Sequence, residues 1–221
     1  MLEHLQQQLH DINRSDAGYD IRDFLVTDAR IAHAISGGDT LTNSGETLLL
    51  REDGDGVALS LYLDGAILDR LQAGDPAAAI RSGLLDDLCK VIEGLSHFNY
   101  VAWRASRDRS VTLLELELQA EVDKFVSTMQ LAREERDTEL MSGLHGRLFD
   151  NARFHDHLSR RQLERYRAAS EYAARFCQSL GPCLRERGGD VLPELRRFYR
   201  MSLSDKIGHI HARAWAGAAA S

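Results

Sequence analysis

The sequence contains little proline, cysteine and lysine, and each shortage narrows the possible structures. Three of the 221 residues are prolines, three are cysteines, and three are lysines against 24 arginines. Because proline breaks helices, the 105 residues between Pro76 and Pro182, which contain none, can form long helices. The remaining composition, 43% hydrophobic and 28% charged, predicts a globular protein and excludes disordered, collagen-like and low-complexity chains.

The cysteines predict a reducing environment. Cys89, Cys177 and Cys183 are odd in number and form neither a CxxC pair nor a zinc-finger spacing, so unpaired thiols are expected. The N-terminus lacks the basic segment and apolar run of a signal peptide. Apolar runs fall far short of the roughly 20 residues that cross a bilayer. The sequence therefore predicts a cytoplasmic protein that is not inserted in a membrane.

Charge is distributed unevenly along the chain. Residues 1–150 contain 14 Lys and Arg against 27 Asp and Glu, a net charge of −13, whereas residues 151–221 contain 13 against 7, a net charge of +6. The acidic and basic segments can attract each other within one chain or across a dimer. Alternatively, the Arg-rich C-terminal third offers a face for an anionic partner such as a nucleic acid.

The N-terminal third predicts a small α+β part. Residues 1–13 have the spacing of an amphipathic helix, and Asp28 is a plausible N-cap for a helix over Ala29–Ile35. Phe24 to Val26 fit either a strand or the start of a helix. Two strand-like runs, 47–51 and 57–63, flank an Asp-Gly-Asp-Gly sequence that is typical of tight hairpin turns. Further short helices are expected over residues 65–72 and from Pro76 onward.

Beyond Pro76 the helical period dominates. Apolar residues recur at steps of three and four over residues 84–105, where 94–103 is apolar nearly all round, and again from residue 111 or 112 to about 132. A short polar connection predicts that these two helices form an αα-hairpin. Ser159 opens a capping box for a helix to about Ser179, which Gly181-Pro182 is expected to end.

We therefore predict a mainly α fold. It is an antiparallel helical bundle centred on residues 84–180, with a small N-terminal α+β part that contains a β-hairpin over 47–63. The expected division is 1–75 for the α+β part and 76–221 for the bundle, within one compact domain overall.

One polar constellation has spacing that suits chemistry. Glu93 and His97 are four residues apart on the first long helix, as are Glu117 and Glu121 on the second, so each pair projects from one helical face. In an αα-hairpin, His97, Glu117 and Glu121 can converge on a divalent metal ion, with Glu93 beside them. Arg104 shares the flank of Glu93 and His97. A buried hydrogen-bonded network of arginine, glutamate and histidine is therefore the competing interpretation.

Two other patterns invite functional hypotheses. Two pairs of histidines separated by one residue could bind a metal ion: His155-Asp156-His157 and His209-Ile210-His211. The second pair lies in a predicted helix, where alternate side chains diverge by about 200°, and this argues against chelation there. The segment from Arg196 to Arg200 interleaves basic and aromatic side chains, as nucleic-acid-binding surfaces do. The same segment also fits an amphipathic helix with a basic flank.

The sequence contains no nucleophile elbow, phosphate-binding loop or dinucleotide-binding glycine pattern. We therefore expect a non-enzymatic interaction or regulatory module that forms a homo-oligomer or binds a protein partner. The alternatives are a helical-bundle metal-binding protein or hydrolase that uses the His/Glu cluster, and a nucleic-acid-binding protein that uses the Arg-rich C-terminal third.

Overall fold

The computed structural model describes residues 1–36, 45–53, 56–71, 76–150, 158–185 and 190–219. The fold is mainly α with a small α+β part, as predicted. The strands are β1 (Leu25–Val26), β2 (Glu46–Asp53) and β3 (Gly56–Leu63). The helices are α1 (Leu2–Asn13), α2 (Ala29–Ile35), α3 (Gly65–Leu71), α4 (Pro76–Arg81), α5 (Leu85–Ala105), α6 (Leu113–Glu134), α7 (Thr138–His145), α8 (Arg160–Arg185), α9 (Leu192–Arg200) and α10 (Leu203–Ala219). Within the described ranges, no helix combines the length and the apolar character needed to span a membrane.

The chain divides into two compact units. Unit 1 consists of Met1–Asp11 and Ser15–Ser110, and unit 2 consists of Ile12–Arg14 and Val111–Ser221. Their main boundary in sequence therefore lies between residues 110 and 111. The sequence prediction placed a boundary between residues 75 and 76, and that domain assignment stays a prediction, as does the αα-hairpin of residues 84–132.

The predicted hairpin forms the sheet of unit 1. Strands β2 and β3 pair antiparallel from Glu46↔Leu63 to Asp53↔Gly56, so two residues connect them, and these lie outside the described residues. Strand β1 adds to the other edge of β3 in parallel, which gives the strand order β1-β3-β2. By sequence, the segment from Phe24 to Val26 fits either a strand or the start of a helix. Its last two residues form strand β1. The predicted N-cap follows it, because the Asp28 side chain accepts a hydrogen bond from the Arg30 backbone N–H.

Helix α5 packs against this sheet at a glycine. It is buried from Gly94 to Arg104 without interruption, which includes the segment that is apolar nearly all round in sequence, and α6 is buried to a similar extent. A side chain at Gly94 would begin 3.0 Å from Leu61 Cδ1 and 3.2 Å from Leu63 Cδ2. The missing side chain therefore lets the helix backbone approach the inner face of β3. Helices α3 and α4 also contact α5.

Gln6 connects three segments of unit 1. Its Nε2 donates to the Tyr19 carbonyl oxygen over 3.0 Å and to Asn99 Oδ1 over 3.2 Å. Its Oε1 accepts from the Ile21 backbone N–H over 3.1 Å. Gln6 is 6% exposed and Asn99 is 4% exposed, so one buried amide fixes α1 and the short 3₁₀ helix Ile21–Asp23 relative to α5. A hydrogen bond of this kind stabilises by about 1 kcal/mol net, and leaving its buried groups unpaired costs more.

Unit 2 is a helical bundle in which α6 and α8 form the principal pair, with α7 on α6 and α10 on α8. Helix α6 begins where the sequence predicts, because the Thr112 hydroxyl accepts from the Glu115 backbone N–H. The predicted capping box opens α8: the Gln162 side chain accepts from the Ser159 backbone N–H over 2.9 Å. Local capping hydrogen bonds thus determine where α6 and α8 begin.

The predicted end of α8 is wrong. The helix continues through Gly181 and Pro182 to Arg185 rather than ending near Ser179. Leu180 and Leu184, four residues apart, are 2% and 6% exposed. Burying a leucine stabilises by roughly 1.5–3 kcal/mol, so two of them match or exceed the roughly 3 kcal/mol that a proline costs inside a helix. Tertiary packing therefore overrides the local stop signal.

We expect Gly94→Val to destabilise unit 1 by about 1–3 kcal/mol, because the new methyl groups must displace Leu61 and Leu63 from a packed helix–sheet contact. Urea unfolding followed by circular dichroism measures the change. Gly208→Val is the matched control, since a side chain at Gly208 of α10 meets nothing within 4 Å. Equal effects of the two substitutions would contradict a close contact at Gly94.

Acid should weaken the attachment of α3 to the start of α5. Arg70 donates two hydrogen bonds to Asp87, of 2.6 and 2.9 Å, and these lower the pKa of the Asp87 carboxyl. A lowered pKa stabilises the folded state above about pH 4, the ordinary unfolded value, and that contribution disappears as the pH falls through the lowered value. Arg70→Met should flatten the loss of unfolding free energy as the pH falls below about 4. The measurement is urea unfolding over that range.

Asp87→Asn should also flatten the dependence of the unfolding free energy on pH. The variant that carries both substitutions should show no further flattening. An unchanged pH dependence in Arg70→Met would show that this ion pair does not contribute to acid sensitivity.

Candidate functional site

The residues of the predicted polar constellation belong to both units. Glu93, His97 and Arg104 lie on α5 in unit 1, whereas Glu117 and Glu121 lie on α6 in unit 2. The i, i+4 spacing within each helix holds as expected. Convergence of His97, Glu117 and Glu121 on one metal ion stays a prediction. The contacts of each residue within its own unit are described below.

His97 has a carboxylate neighbour that sequence reasoning missed. Its Nδ1 lies 3.7 Å from Glu46 Oε2, at the start of strand β2. His97 is 6% exposed and Glu46 is 8% exposed. Charged groups this deeply buried are costly unless they have partners, so the imidazole and the carboxylate stabilise each other in this position.

The register of the hairpin explains how Glu46 reaches α5. Glu46 pairs with Leu63 and Leu48 pairs with Leu61. Opposed residues of an antiparallel pair share a face, and Leu61 and Leu63 face Gly94 of α5. The two-residue turn and the alternation of the strands could have placed Glu46 on that inner face. What the sequence does not indicate is that α5 covers it.

The remaining charged residues of α5 have different surroundings. The guanidinium carbon of Arg104, which is 4% exposed, lies 5.5 Å from the centre of the Tyr100 ring, in a cation–π arrangement. Glu93 is half-buried one helical turn before His97. A carboxylate oxygen of Glu93 and a ring nitrogen of His97 lie within 4.8 Å of each other. His97 therefore has one carboxylate on its own helix and a second on the sheet.

The two glutamates of α6 each have a cationic neighbour in unit 2. Glu117 Oε1 lies 3.6 Å from Arg165 Nε of α8, and Glu117 is 7% exposed. Glu121 Oε1 accepts a hydrogen bond of 2.9 Å from Lys124 Nζ on the next turn of α6. Both glutamates thus form ion pairs within unit 2. The network of Arg104 with Glu93 and His97, the competing interpretation of the sequence pattern, stays a prediction.

The surroundings of Cys177, the buried thiol of unit 2, do not favour nucleophilic chemistry. Cys177 on α8 is fully buried, and all three cysteines are free thiols. Burial raises the pKa of the Cys177 thiol well above its usual value, and the carboxylates of Glu121 and Asp123 raise it further. The thiol therefore stays protonated at neutral pH, whereas a nucleophilic cysteine needs a lowered pKa.

Unit 2 contains a fully buried lysine. Lys206 of α10 is 0% exposed, and its Nζ donates a hydrogen bond of 2.8 Å to Gln119 Oε1. Gln119 Nε2 in turn donates to Asp123 Oδ1 over 3.0 Å, and Asn13 Nδ2 donates to the same oxygen over 3.0 Å. The ammonium also lies 5.0 Å from the centre of the Phe198 ring. A glutamine amide thus connects a buried cation to a buried carboxylate.

The basic and aromatic segment on α9 has structural contacts. Phe198 and Tyr199 are each 1% exposed, and Phe198 stacks on Phe176 with 4.0 Å between ring centres. Arg196 and Arg200 bind the backbone carbonyls of residues 12–14, at the C-terminal end of α1. Buried rings cannot stack on bases, and the burial of Phe198 and Tyr199 is that of an amphipathic helix. Nucleic-acid binding by the Arg-rich C-terminal third stays a prediction.

The histidine pairs are not arranged for chelation where the structure describes them. His209 Nε2 shares a hydrogen bond with Glu194 Oε1, and Arg213 Nη1 donates to the same oxygen over 3.0 Å. His211 instead meets the edge of Tyr172 on α8. The two rings diverge as the helical spacing requires. His155 and His157 lie outside the described residues.

An open groove borders the sheet of unit 1. It has a volume of about 1260 Å³ and lies between α2 and strand β2; we call it the α2/β2 groove. Its lining includes Ile31 and Ile35 of α2, which are 54% and 42% exposed. Leu50 of β2, which is 51% exposed, also borders the groove, but it alternates with Leu49, so its side chain lies on the opposite face of the sheet from α2. These residues are three of the five large hydrophobic side chains that are exposed in the described part of the chain, the other two being Tyr19 and Leu113. Clustered exposed apolar side chains mark interaction surfaces, whereas scattered ones do not.

Comparison with known proteins adds no family to this geometry. No protein-family model, curated protein or solved structure matches the chain. The features available for a functional interpretation are therefore the His97–Glu46 pair, the Lys206 network and the α2/β2 groove.

We expect Lys206→Met to destabilise unit 2 by about 3 kcal/mol, because it leaves the Asp123 carboxylate buried without its cation. Urea unfolding gives the change in free energy. Adding Asp123→Asn should recover part of this loss, since the uncompensated charge is then removed. Arg160→Met, which removes a cation from a side chain that is 92% exposed, should have no measurable effect. If the double variant is as destabilised as the sum of the two single variants, the two charges are not coupled.

Proposed function

We propose that the chain is a cytoplasmic, non-enzymatic interaction module that forms a homodimer through the α2/β2 groove. The observation that carries this proposal is the exposure of Ile31 and Ile35, two large apolar side chains of α2, at one groove beside a strand edge. Leaving such side chains in water costs roughly 25 cal/mol for each Å² of apolar surface, and a partner that covers them recovers this free energy.

The strand edge provides the second part of the contact. Strand β2 has eight residues and pairs with β3 on one side; among the described residues its other edge has no paired strand. An open edge offers backbone N–H and C=O groups to a further strand. Antiparallel pairing of β2 with the same strand of a second copy satisfies both edges at once, as a two-fold symmetric contact requires.

The packing of α2 keeps the groove in place. Ala32 of α2 packs with Leu49 and Tyr62 of the sheet in a buried cluster, and Val26 packs against it. The face of α2 that carries Ile31 and Ile35 is thus held beside β2 by a small core of its own. A preformed apolar surface costs less conformational entropy on binding than one that must first become ordered.

Self-association should be visible in the mass of the protein. Sedimentation equilibrium over about 1 to 100 µM should show a mass that rises from 24.8 kDa towards twice that value. Ile31→Glu and Ile35→Glu should each raise the dissociation constant of the dimer at least about 10-fold, because each places a charge in the apolar contact.

Leu113→Glu is the matched control. Leu113 is 58% exposed at the start of α6, away from the groove residues in sequence and in unit 2, so its substitution should leave the dissociation constant unchanged. A wild-type protein that stays at 24.8 kDa throughout the concentration range would overturn the proposal.

A further inference from the structure

Apolar side chains are exposed on both faces of the sheet of unit 1, beside the same edge. Ile31 and Ile35 of α2 lie on one face. Leu50 lies on the other face, the one that α5 covers at Leu61 and Leu63. A partner that fills the α2/β2 groove covers the isoleucines only, whereas a partner strand that continues the sheet along β2 adds side chains to both faces.

The hydrogen bonds of the hairpin determine which backbone groups of β2 face its outer edge. In an antiparallel pair, opposed residues alternate between pairs that exchange hydrogen bonds and pairs that do not. The Leu61 N–H donates to the Phe24 carbonyl oxygen beside β1, so Leu61 and its opposite residue Leu48 are a pair that exchanges none. The N–H and C=O groups of Leu48, and those of Leu50 two residues on, therefore point away from β3. In the described part of the chain, no strand pairs with them.

We propose that two copies of the chain pair antiparallel along β2 with the two-fold axis at Leu49, so that Leu48 of each copy lies opposite Leu50 of the other. This inference rests on the proposed homodimer and specifies the strand register within it. Opposed residues that exchange hydrogen bonds must both present their backbone groups to the shared edge. Leu48 and Leu50 do so, and Leu49 meets its own counterpart in the pair between them.

The sequence of β2 distinguishes this register from its neighbours. An axis at Leu48 places Leu50 opposite Glu46, and an axis at Leu50 places Leu48 opposite Glu52. The axis at Leu49 instead places leucine opposite leucine on both sides of it, and apolar cross-strand pairs stabilise a sheet. It also pairs Glu46 with Glu52 at the two ends of the ladder, where like charges weaken the contact. The central leucines therefore provide the stabilisation.

The register covers the exposed apolar side chains on both faces. On the face of α5, the leucines at positions 48 and 50 of both copies come together, so Leu50 gains an apolar partner that the groove alone does not give it. A two-fold axis between antiparallel strands is perpendicular to the sheet, so the two α2 helices lie on the same side of the joined sheet. The two α2/β2 grooves then become one, with Ile31 and Ile35 of each copy along it.

The test is cysteine cross-linking in full-length protein that carries Cys89→Ser and Cys183→Ser, so that the remaining native thiol is the fully buried Cys177. Opposed residues of an antiparallel pair have Cα atoms about 4.5–5.5 Å apart, within the range of a disulfide, whereas diagonal neighbours lie about 7–8 Å apart. Under diamide, Leu49→Cys should therefore form a disulfide-linked dimer at least about 10-fold faster than Leu48→Cys or Leu50→Cys. Non-reducing electrophoresis over time measures the rates.

Leu113→Cys, at an exposed position of unit 2, is the control and gives the rate of cross-linking by random collision. Fastest cross-linking in Leu48→Cys or Leu50→Cys, or equal rates in all three variants of a protein that dimerises, would overturn the register and leave the dimer standing. A wild type that stays at 24.8 kDa in sedimentation equilibrium would overturn both.

Leu49 is buried against α2, so a second measurement applies if Leu49→Cys does not fold. An equimolar mixture of Leu48→Cys and Leu50→Cys should then cross-link faster than either variant alone, because the two positions are opposed only between copies that differ. A mixture no faster than the single variants would contradict the axis at Leu49.

Discussion

The close approach of helix α5 to the β-hairpin is the constraint on which the first unit depends. A two-stranded hairpin is marginally stable alone and needs a cover for its apolar face, and α5 provides it at Gly94. Once the helix lies on Leu61 and Leu63, the alternation of the strands brings Glu46 to the same face. The close approach at Gly94 and the register of the strands thus bring His97 and its carboxylate neighbour together.

In the second unit, charged side chains lie in the interior, where each needs a partner. Lys206 and Asp123 are buried on different helices, and the amide of Gln119 connects them. These hydrogen bonds depend on distance and direction, so they are kept only while Lys206 of α10 stays within reach of Gln119 on α6. Buried polar networks are costly in free energy when a partner is lost.

Local signals in the sequence predicted most elements, and long-range contacts account for what they missed. Asp28, Thr112 and Ser159 cap helices where expected, since a cap depends on residues within one turn. Periodicity indicated that α5 is buried all round, but it cannot say that a sheet covers it. The sequence therefore predicts a polar cluster made of helical residues only, and it does not indicate that Glu46 of the sheet lies beside His97. Pro182 failed as a stop signal because the burial of Leu180 and Leu184 depends on tertiary packing.

The binding of α9 to the end of α1 has a consequence for synthesis. Arg196 and Arg200 hold carbonyl groups that are 184 to 187 residues earlier in the chain. Unit 2 thus joins residues that are far apart in the chain. These contacts cannot form until α9 has been synthesised, and until then the carbonyl groups at the end of α1 lack their arginine partners. Long-range closure of this kind is slow compared with local helix formation.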